Sequence, residues 1–502
     1  MPGNQKHFAL ESLVHDLVQV RLYKEQGMRK GAGLIFFFCL GLGWCLSLLA
    51  PALASPGGQD SSACKGARNI ILMISDGAGF NAFEAGNSYR EGKRRASELE
   101  DFEVRMAATT YMAGGYRLIG QEVVPYALEQ GYDPHGMWQD FNYVKGGNDY
   151  SVFTDSAASA TAMYTGQKTY KHAVSVGLDQ QPLRTIAEYA DEAGKATGAV
   201  TSVQFSHATT ACMFAHNTRR SNYRAIAREM IYHSPAEVIM GCGARYDPER
   251  NSSGATEFVG GEATWRDITD QDGANGFTFI SERSGFQALI DETPLPEKVL
   301  GIAPAKYSLD SRPKEEVPSL QTMARGALRV LNADPDGFVL LVEAGAVDWA
   351  NHDRDLERMV QAQAGFMDTV AAVKSWVELN SSWQETLLIV TSDHECGMIW
   401  GPESYADVNS NRFFDPGLDR HQAWNQVTVR GKGSLPGVQY GSDGHTNTLV
   451  PLLAKGAGAK RLLALVDGVD EKAGRFWQFS GRYVDNTDIF TLMLEAMHKG
   501  RE

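Results

Sequence analysis

Five short apolar runs separated by amphipathic stretches constrain the fold of this chain more than any other feature. Asn69–Ser75 reads Asn-Ile-Ile-Leu-Met-Ile-Ser, and 198–203, 237–240, 337–342 and 386–390 are similarly rich in Val, Ile, Leu and Met. A strand buried on both faces reads as a continuous apolar run, whereas one with a wet face alternates. Helical periodicity fills the intervals at 182–193, 222–233, 319–331 and 356–377. The alternation predicts an α/β fold, a three-layer sandwich in which helices cover both faces of a large, parallel-rich central sheet. One domain is expected over 69–498. Two stretches rich in Gly, Asp, Glu, Ser and Pro, at about 246–314 and 402–441, read as insertions on its surface.

The longest apolar run, 31–54, precedes this domain. It follows Met28-Arg29-Lys30 and ends in Ala52-Leu53-Ala54, the layout of a secretory signal with a small-residue cleavage site after Ala54. Export to the periplasm or the medium is therefore expected, with 55–68 as a linker. If the run were retained, its length would suit a membrane anchor instead. The 27 residues before Met28 are long for the leading region of a signal, which makes Met28 a candidate start. Cys64, Cys212, Cys242 and Cys396 lie beyond the run, too few and too scattered to frame the fold, and their pairing is open. Acidic residues outnumber basic ones, 61 to 47, for a net charge of -14. That balance argues against a nucleic-acid surface and gives no general attraction for anions, so an anionic substrate would need local positive charge.

Candidate site residues gather where the apolar runs end, at the place where open α/β sheets bind ligands. Asp76 follows the first run and precedes Gly77-Ala78-Gly79, a loop through which backbone can approach a bound group. The run at 337–342 leads into Glu343, Asp348, Trp349 and His352. Asp348 and His352 are four apart, so a helix would put them on one face, where an oxygen and an imidazole suit zinc; a solvated helix carries such a pair by chance. Asp393 and His394 stand just past the run at 386–390, where a capped turn is the plainer reading. His445 precedes the apolar run 449–453 and could be a satisfied core histidine. In Thr154-Asp155-Ser156-Ala-Ala-Ser-Ala-Thr-Ala162, small residues point to a tightly packed helix with Ser156 at its N-terminus, where backbone amides favour phosphate. Asp155 or Ser156 could equally be a simple N-cap.

The segment Asp155 to Ala162 closely resembles the nucleophile signature of alkaline phosphatases, and further matches follow in chain order from about 69 to 498. Ser75-Asp76-Gly77 is similar to the family's metal-bridging aspartate segment. Glu343 to His352 is similar to its Glu-x4-Asp-x3-His block, Thr391 to His394 to its Asp-His pair, and Gly444-His445-Thr446 to its last zinc histidine. The resemblance implies two zinc ions and one magnesium ion: one zinc on Asp348, His352 and His445, the second on Asp76, Ser156, Asp393 and His394, and magnesium on Asp76, Thr209 and Glu343. It further implies hydrolysis of small phosphomonoesters through a covalent phosphoserine at Ser156, fastest at alkaline pH, with Arg220 clamping the phosphoryl group. Arg219 is the fallback for that clamp. A homodimer is implied as well, with 402–441 near the partner, and no stable membrane association once the signal is removed.

The sequence departs from one well-known bacterial form of the family at two positions near the third metal site. His207 stands in place of an aspartate and Trp349 in place of a lysine. Replacing a hard anionic oxygen with a borderline nitrogen favours zinc over magnesium. A phosphodiesterase or sulfatase of the same superfamily and a non-catalytic metal- or phosphate-binding protein are the alternatives. Cys64-Lys-Gly-Ala-Arg68 only distantly echoes the sulfatase motif and lacks its proline.

Overall fold

The computed structural model describes residues 66–139, 152–244, 256–270, 274–404 and 424–498. The export segment, most of the linker with Cys64, 246–255 and 405–423 lie outside the described residues. Eleven strands form the main sheet. In chain order they are β1 (Asn69–Ser75), β2 (Val104–Thr109), β3 (Ala196–Gln204), β4 (Val238–Cys242), β5 (Thr278–Ile280), β6 (Val299–Ile302), β7 (Phe338–Ala344), β8 (Thr386–Thr391), β9 (Val450–Gly456), β10 (Gly468–Val469) and β11 (Arg482–Asp485). Their order across the sheet is β10-β11-β2-β9-β8-β1-β7-β3-β4-β6-β5. The block from β8 to β5 is parallel throughout, while β9 runs antiparallel to both β8 and β2.

All seven residues of β1 are buried, as are those of β3, β7 and β8. Period-two geometry sends alternate side chains to opposite faces. Ile71, Met73, Leu340, Val342, Leu388 and Val390 join one core with residues of the helices Phe80–Glu91, Leu320–Leu331 and Leu356–Asn380. The other set, including Ile70, Leu72, Ile74, Val339 and Leu341, is equally buried on the opposite face. The helices Ser156–Thr165, Ile186–Glu192, Ala208–Phe214 and Thr487–His498 pack among themselves, and those starting at Ile186 and Ala208 also contact β3 and β7.

The expected segments appear where the apolar runs placed them, and each of the four expected helices forms. The stretch at 246–314 is a correction. Its second half supplies β5 and β6, the edge of the main sheet, rather than a surface insertion alone. Edge strands are short and half solvated, so their polar surroundings hid them from the apolar pattern. β2, β10, β11 and the helix Thr487–His498 were not anticipated either. Among the described residues no helix is long and apolar enough to cross a membrane.

Candidate active site

The parallel register brings the chemistry to one end of the sheet. Ile74 of β1 stands opposite Glu343 of β7 and Thr391 of β8, and Glu343 also faces Thr201 of β3. Asp76, Glu343, Asp393 and His394, 317 residues apart in sequence at the extremes, therefore emerge side by side at three adjacent carboxyl ends. All four are fully buried.

Asp76 sits at the meeting of two groups of ligand-type side chains, one with Asp393 and His394 and one with Glu343 and His207. A third group joins Asp348, His352, His445 and Cys396. The helix Ala346–His352 does put Asp348 and His352 on one face, with Oδ2 3.4 Å from Nε2. His445 approaches from the short strand His445–Thr446, which pairs with Glu395–Cys396 just after His394. His445 Nε2 lies 3.5 Å from Asp348 Oδ1 and 3.1 Å from His352 Nε2.

The outer nitrogens of these two rings settle what the inner ones present. His352 Nδ1 is 2.6 Å from the Asp443 carbonyl and His445 Nδ1 is 2.8 Å from the Thr154 carbonyl. A carbonyl only accepts, so each Nδ1 carries the hydrogen and each neutral ring aims the Nε2 lone pair inward. Two converging lone pairs beside a carboxylate suit a cation. Carbonyl-anchored outer nitrogens are the usual support for histidine ligands.

Buried polar atoms without hydrogen-bond partners concentrate in the same place. They include both carboxylate oxygens of Asp76 and of Glu343, Asp348 Oδ1, Asp393 Oδ2, Thr209 Oγ1 and His207 Nδ1. Leaving such groups unpaired is costly, and crowded carboxylates repel. Burial, reinforced by Asp393 and Asp348, pushes the Asp76 carboxyl well above its ordinary value. Burial pushes Glu343 up to about 7 and Asp393 up to about 6. Burial and then His445 hold the His394 ring well below the usual imidazole range, which keeps it neutral. The donor set fits metal ions: carboxylate oxygens and neutral imidazoles for two zinc ions, and the Asp76, Glu343 and Thr209 oxygens for a magnesium ion.

Ser156 opens the helix Ser156–Thr165, and its Oγ lies 3.2 Å from His394 Nε2. Asp155 is the N-cap, its Oδ1 accepting from Ala158 N at 3.2 Å. Its Oδ2 also accepts from Arg220 Nη1 at 2.8 Å, so the plain capping reading and the functional one are both true of this segment. Burial would raise Asp155, yet Arg220 and His172 hold it far below the carboxylate range. Arg220 Nη2 donates to His207 Nε2 at 2.9 Å, and burial followed by Arg220 lowers the His207 ring to about 3. Arg220 is thus the arginine beside Ser156, whereas the Arg219 side chain has no hydrogen bond to this site. Trp349 meets His207 edge to face, with ring centroids 5.7 Å apart.

Two features escaped the sequence reading. Cys396 sits in the Asp348 group as a buried free thiol; Cys212 and Cys242 are also buried and free. Nothing local in Glu395-Cys396 distinguishes a thiol beside a metal group from a core cysteine. The carboxylate of Asp155, rather than any nearby acid, is the anchor of Arg220; the two are 65 residues apart.

Comparison with known proteins agrees with this geometry. The alkaline phosphatase family profile matches residues 135–497. Alkaline phosphatase 3 of Bacillus subtilis (strain 168) is 33% identical over 354 residues, covering 70% of this chain and 65% of the relative. The chain thus spans just under two thirds of that relative's length, and half of alkaline phosphatase 4 from the same organism. The alkaline phosphatase of Escherichia coli (strain K12) is 28% identical over 458 residues, covering 82% of this chain and 86% of that protein. The solved alkaline phosphatase of the Antarctic bacterium TAB5 shares the fold, with a TM-score of 0.56 at 21% identity over 87% of this chain and 99% of that one. Sheet order, the placing of the ligand-type residues and the extent of the family match lead to one conclusion: the chain belongs to the alkaline phosphatase family.

Proposed function

We propose that this protein hydrolyses small phosphate monoesters to an alcohol and inorganic phosphate through a covalent phosphoserine at Ser156. One observation carries the reading. A serine hydroxyl at a helix N-terminus lies within 3.2 Å of a neutral histidine, beside three groups of ligand-type side chains that share Asp76. Asp348, His352 and His445 would hold one zinc ion, Asp76, Asp393, His394 and Ser156 a second, and Asp76, Glu343 and Thr209 a magnesium ion. Bound there, such ions supply Lewis-acid stabilisation of the attacking and leaving oxygens and lower the pKa of the serine hydroxyl.

The chain's own residues do the rest. The helix amides at Ser156 favour the anionic phosphoryl group. Arg220, anchored on Asp155, offers a planar pair of N–H donors to two phosphoryl oxygens. Rate rising toward alkaline pH follows from the need to deprotonate the nucleophile. His207 is read as tuning the third site toward zinc, so protein loaded with zinc alone is partly active and gains activity slowly on adding magnesium. Export, supported by the composition of 28–54, and a homodimer belong to the same reading.

The test is an assay of the purified protein on an aryl phosphate, an aryl phosphodiester and an aryl sulfate, combined with acid trapping of labelled phosphate. A clear preference for the monoester with label recovered on Ser156 is expected. Preference for the diester or the sulfate would replace this reading with one of its superfamily alternatives, and hydrolysis of none would leave a binding protein.

A further inference from the structure

Asp155 holds Arg220, and a second residue on the far side of Asp155 shares that task. His172 follows the nucleophile helix and has φ 72, a left-handed backbone conformation that disfavours side chains larger than glycine. That conformation aims both of its main-chain groups at the site. His172 N donates to Asp155 Oδ1 at 2.9 Å, and its carbonyl accepts from Arg220 N at 2.9 Å. Glycine would supply those two contacts without strain, so the presence of a side chain calls for a separate account.

The imidazole has one. Its Nδ1 is 2.9 Å from the Tyr116 hydroxyl, and its Nε2 is 4.0 Å from Asp155 Oδ2, the oxygen that binds Arg220. Burial, then Arg220, Lys171 and Arg219 against the pull of Asp155, lower the ring's pKa, so it has one N–H and one lone pair at neutral pH. Were Nδ1 the protonated nitrogen, the Nε2 lone pair would face a carboxylate. The favourable tautomer has the Tyr116 hydroxyl donating to Nδ1 and Nε2–H directed at Asp155. Tyr116 lies on the ribbon Gly114–Ile119 paired with Glu122–Ala127, and Lys171 N bonds the Gly114 carbonyl, which ties the ribbon to the loop before His172.

We infer that His172, oriented by Tyr116, is a positioning residue that steadies the Asp155 carboxylate and through it the anion clamp of Arg220. The inference rests on the proposed phosphomonoesterase reading. It accounts for a side chain at a strained position and for the contact between an outlying ribbon and the floor of the site. The role is indirect, so it acts on anion binding more than on turnover.

Inorganic phosphate is the probe, its dissociation constant measured by calorimetry on the metal-loaded full chain and its inhibition constant by assay. His172→Gly is expected to raise both about threefold to tenfold, the range of one lost hydrogen bond, with KM rising more than kcat falls. Its thermal midpoint should not fall below the parent's, since glycine adopts the left-handed conformation freely. Tyr116→Phe should move phosphate affinity in the same direction by less, and the double variant should match His172→Gly. In an Arg220→Ala background the His172→Gly effect should vanish. Phosphate constants in His172→Gly within about twofold of the parent, or an undiminished effect without Arg220, would overturn the assignment of His172 alone. A parent protein that neither hydrolyses monoesters nor binds phosphate would overturn the reading of the site beneath it.

Discussion

Ser156 and Arg220 divide the work of the site between bond-making and anion binding, and their substitutions should separate those roles. Ser156→Ala removes the hydroxyl next to His394 while leaving the ligand carboxylates and imidazoles in place. Turnover is expected to fall by about a thousandfold or more, with residual activity and nearly unchanged zinc content. Label trapped on the variant as readily as on the parent would refute the nucleophile. Arg220→Ala should weaken phosphate inhibition by at least tenfold with metal content little altered, because the guanidinium faces the anion and Asp155 rather than a cation. Arg219→Ala should leave the inhibition constant where it was. For His207, replacement by aspartate should make magnesium activation faster or unnecessary, read as the lag after magnesium is added to zinc-loaded protein. Full activity of the parent in zinc alone would contradict that reading.

At the scale of elements, the loop after β1 is the most constrained connection in the site. Gly77 has φ 70, its N–H donates to Asp393 Oδ1 at 3.1 Å, and its carbonyl accepts from Asn351 Nδ2 and Cys396 N. A Cβ added there would lie 2.7 Å from Asp348 Cα and 2.6 Å from Asp348 Oδ1. Gly77→Ala should therefore lower both the thermal midpoint and the zinc content, with a backbone cost of about 1–3 kcal/mol. A variant with parental midpoint and metal content would show that the loop can yield. The junction of the Ile186–Glu192 and Ala208–Phe214 helices gives a pH prediction. His216 lies 3.2 Å from Glu229 Oε1, 3.8 Å from Glu188 Oε2 and 3.0 Å from the Leu183 carbonyl. Burial opposes protonation, yet these partners outweigh it and raise the ring above 6.5. A raised folded value means that the charged ring's contribution is complete below the unfolded pKa and is lost as pH rises through the folded one. From about pH 6 to pH 8 the parent's thermal midpoint should fall toward that of His216→Gln. Parallel profiles for the two proteins would remove the ion pair from the stability account.

For the whole molecule, four buried carboxylates at one end of the sheet are a liability that bound cations relieve. Asp76, Glu343, Asp348 and Asp393 retain buried oxygens without hydrogen-bond partners. An ion present at a thousand times its dissociation constant stabilises the state that binds it by about 4 kcal/mol. Chelation should accordingly lower the thermal midpoint by several degrees, and zinc plus magnesium should restore it. An unchanged midpoint would mean that the site is not held together by metal.

Much of the architecture was legible because it rests on local pattern. The buried strands announce themselves as apolar runs, and the residues immediately after them, Asp76, Glu343, Asp393 and His394, fall at their carboxyl ends by position alone. The Asp348–His352 pair was readable from helical spacing, and Ser156 from the small residues that follow it. What stayed hidden depends on register and on contacts between distant segments. The edge strands β5 and β6 lack an apolar signature because solvent takes one side of them. The place of Cys396 beside Asp348, the grip of Asp155 on Arg220, and the reach of Tyr116 to His172 each join segments separated by 48 to 65 residues or, for the ribbon, 56. The sequence by itself determined which residues carry donors, acceptors and nucleophile and on which strand ends they stand. Only the tertiary structure decided which donor meets which acceptor, because side-chain partners are chosen by distances of a few ångströms that strand order and register set.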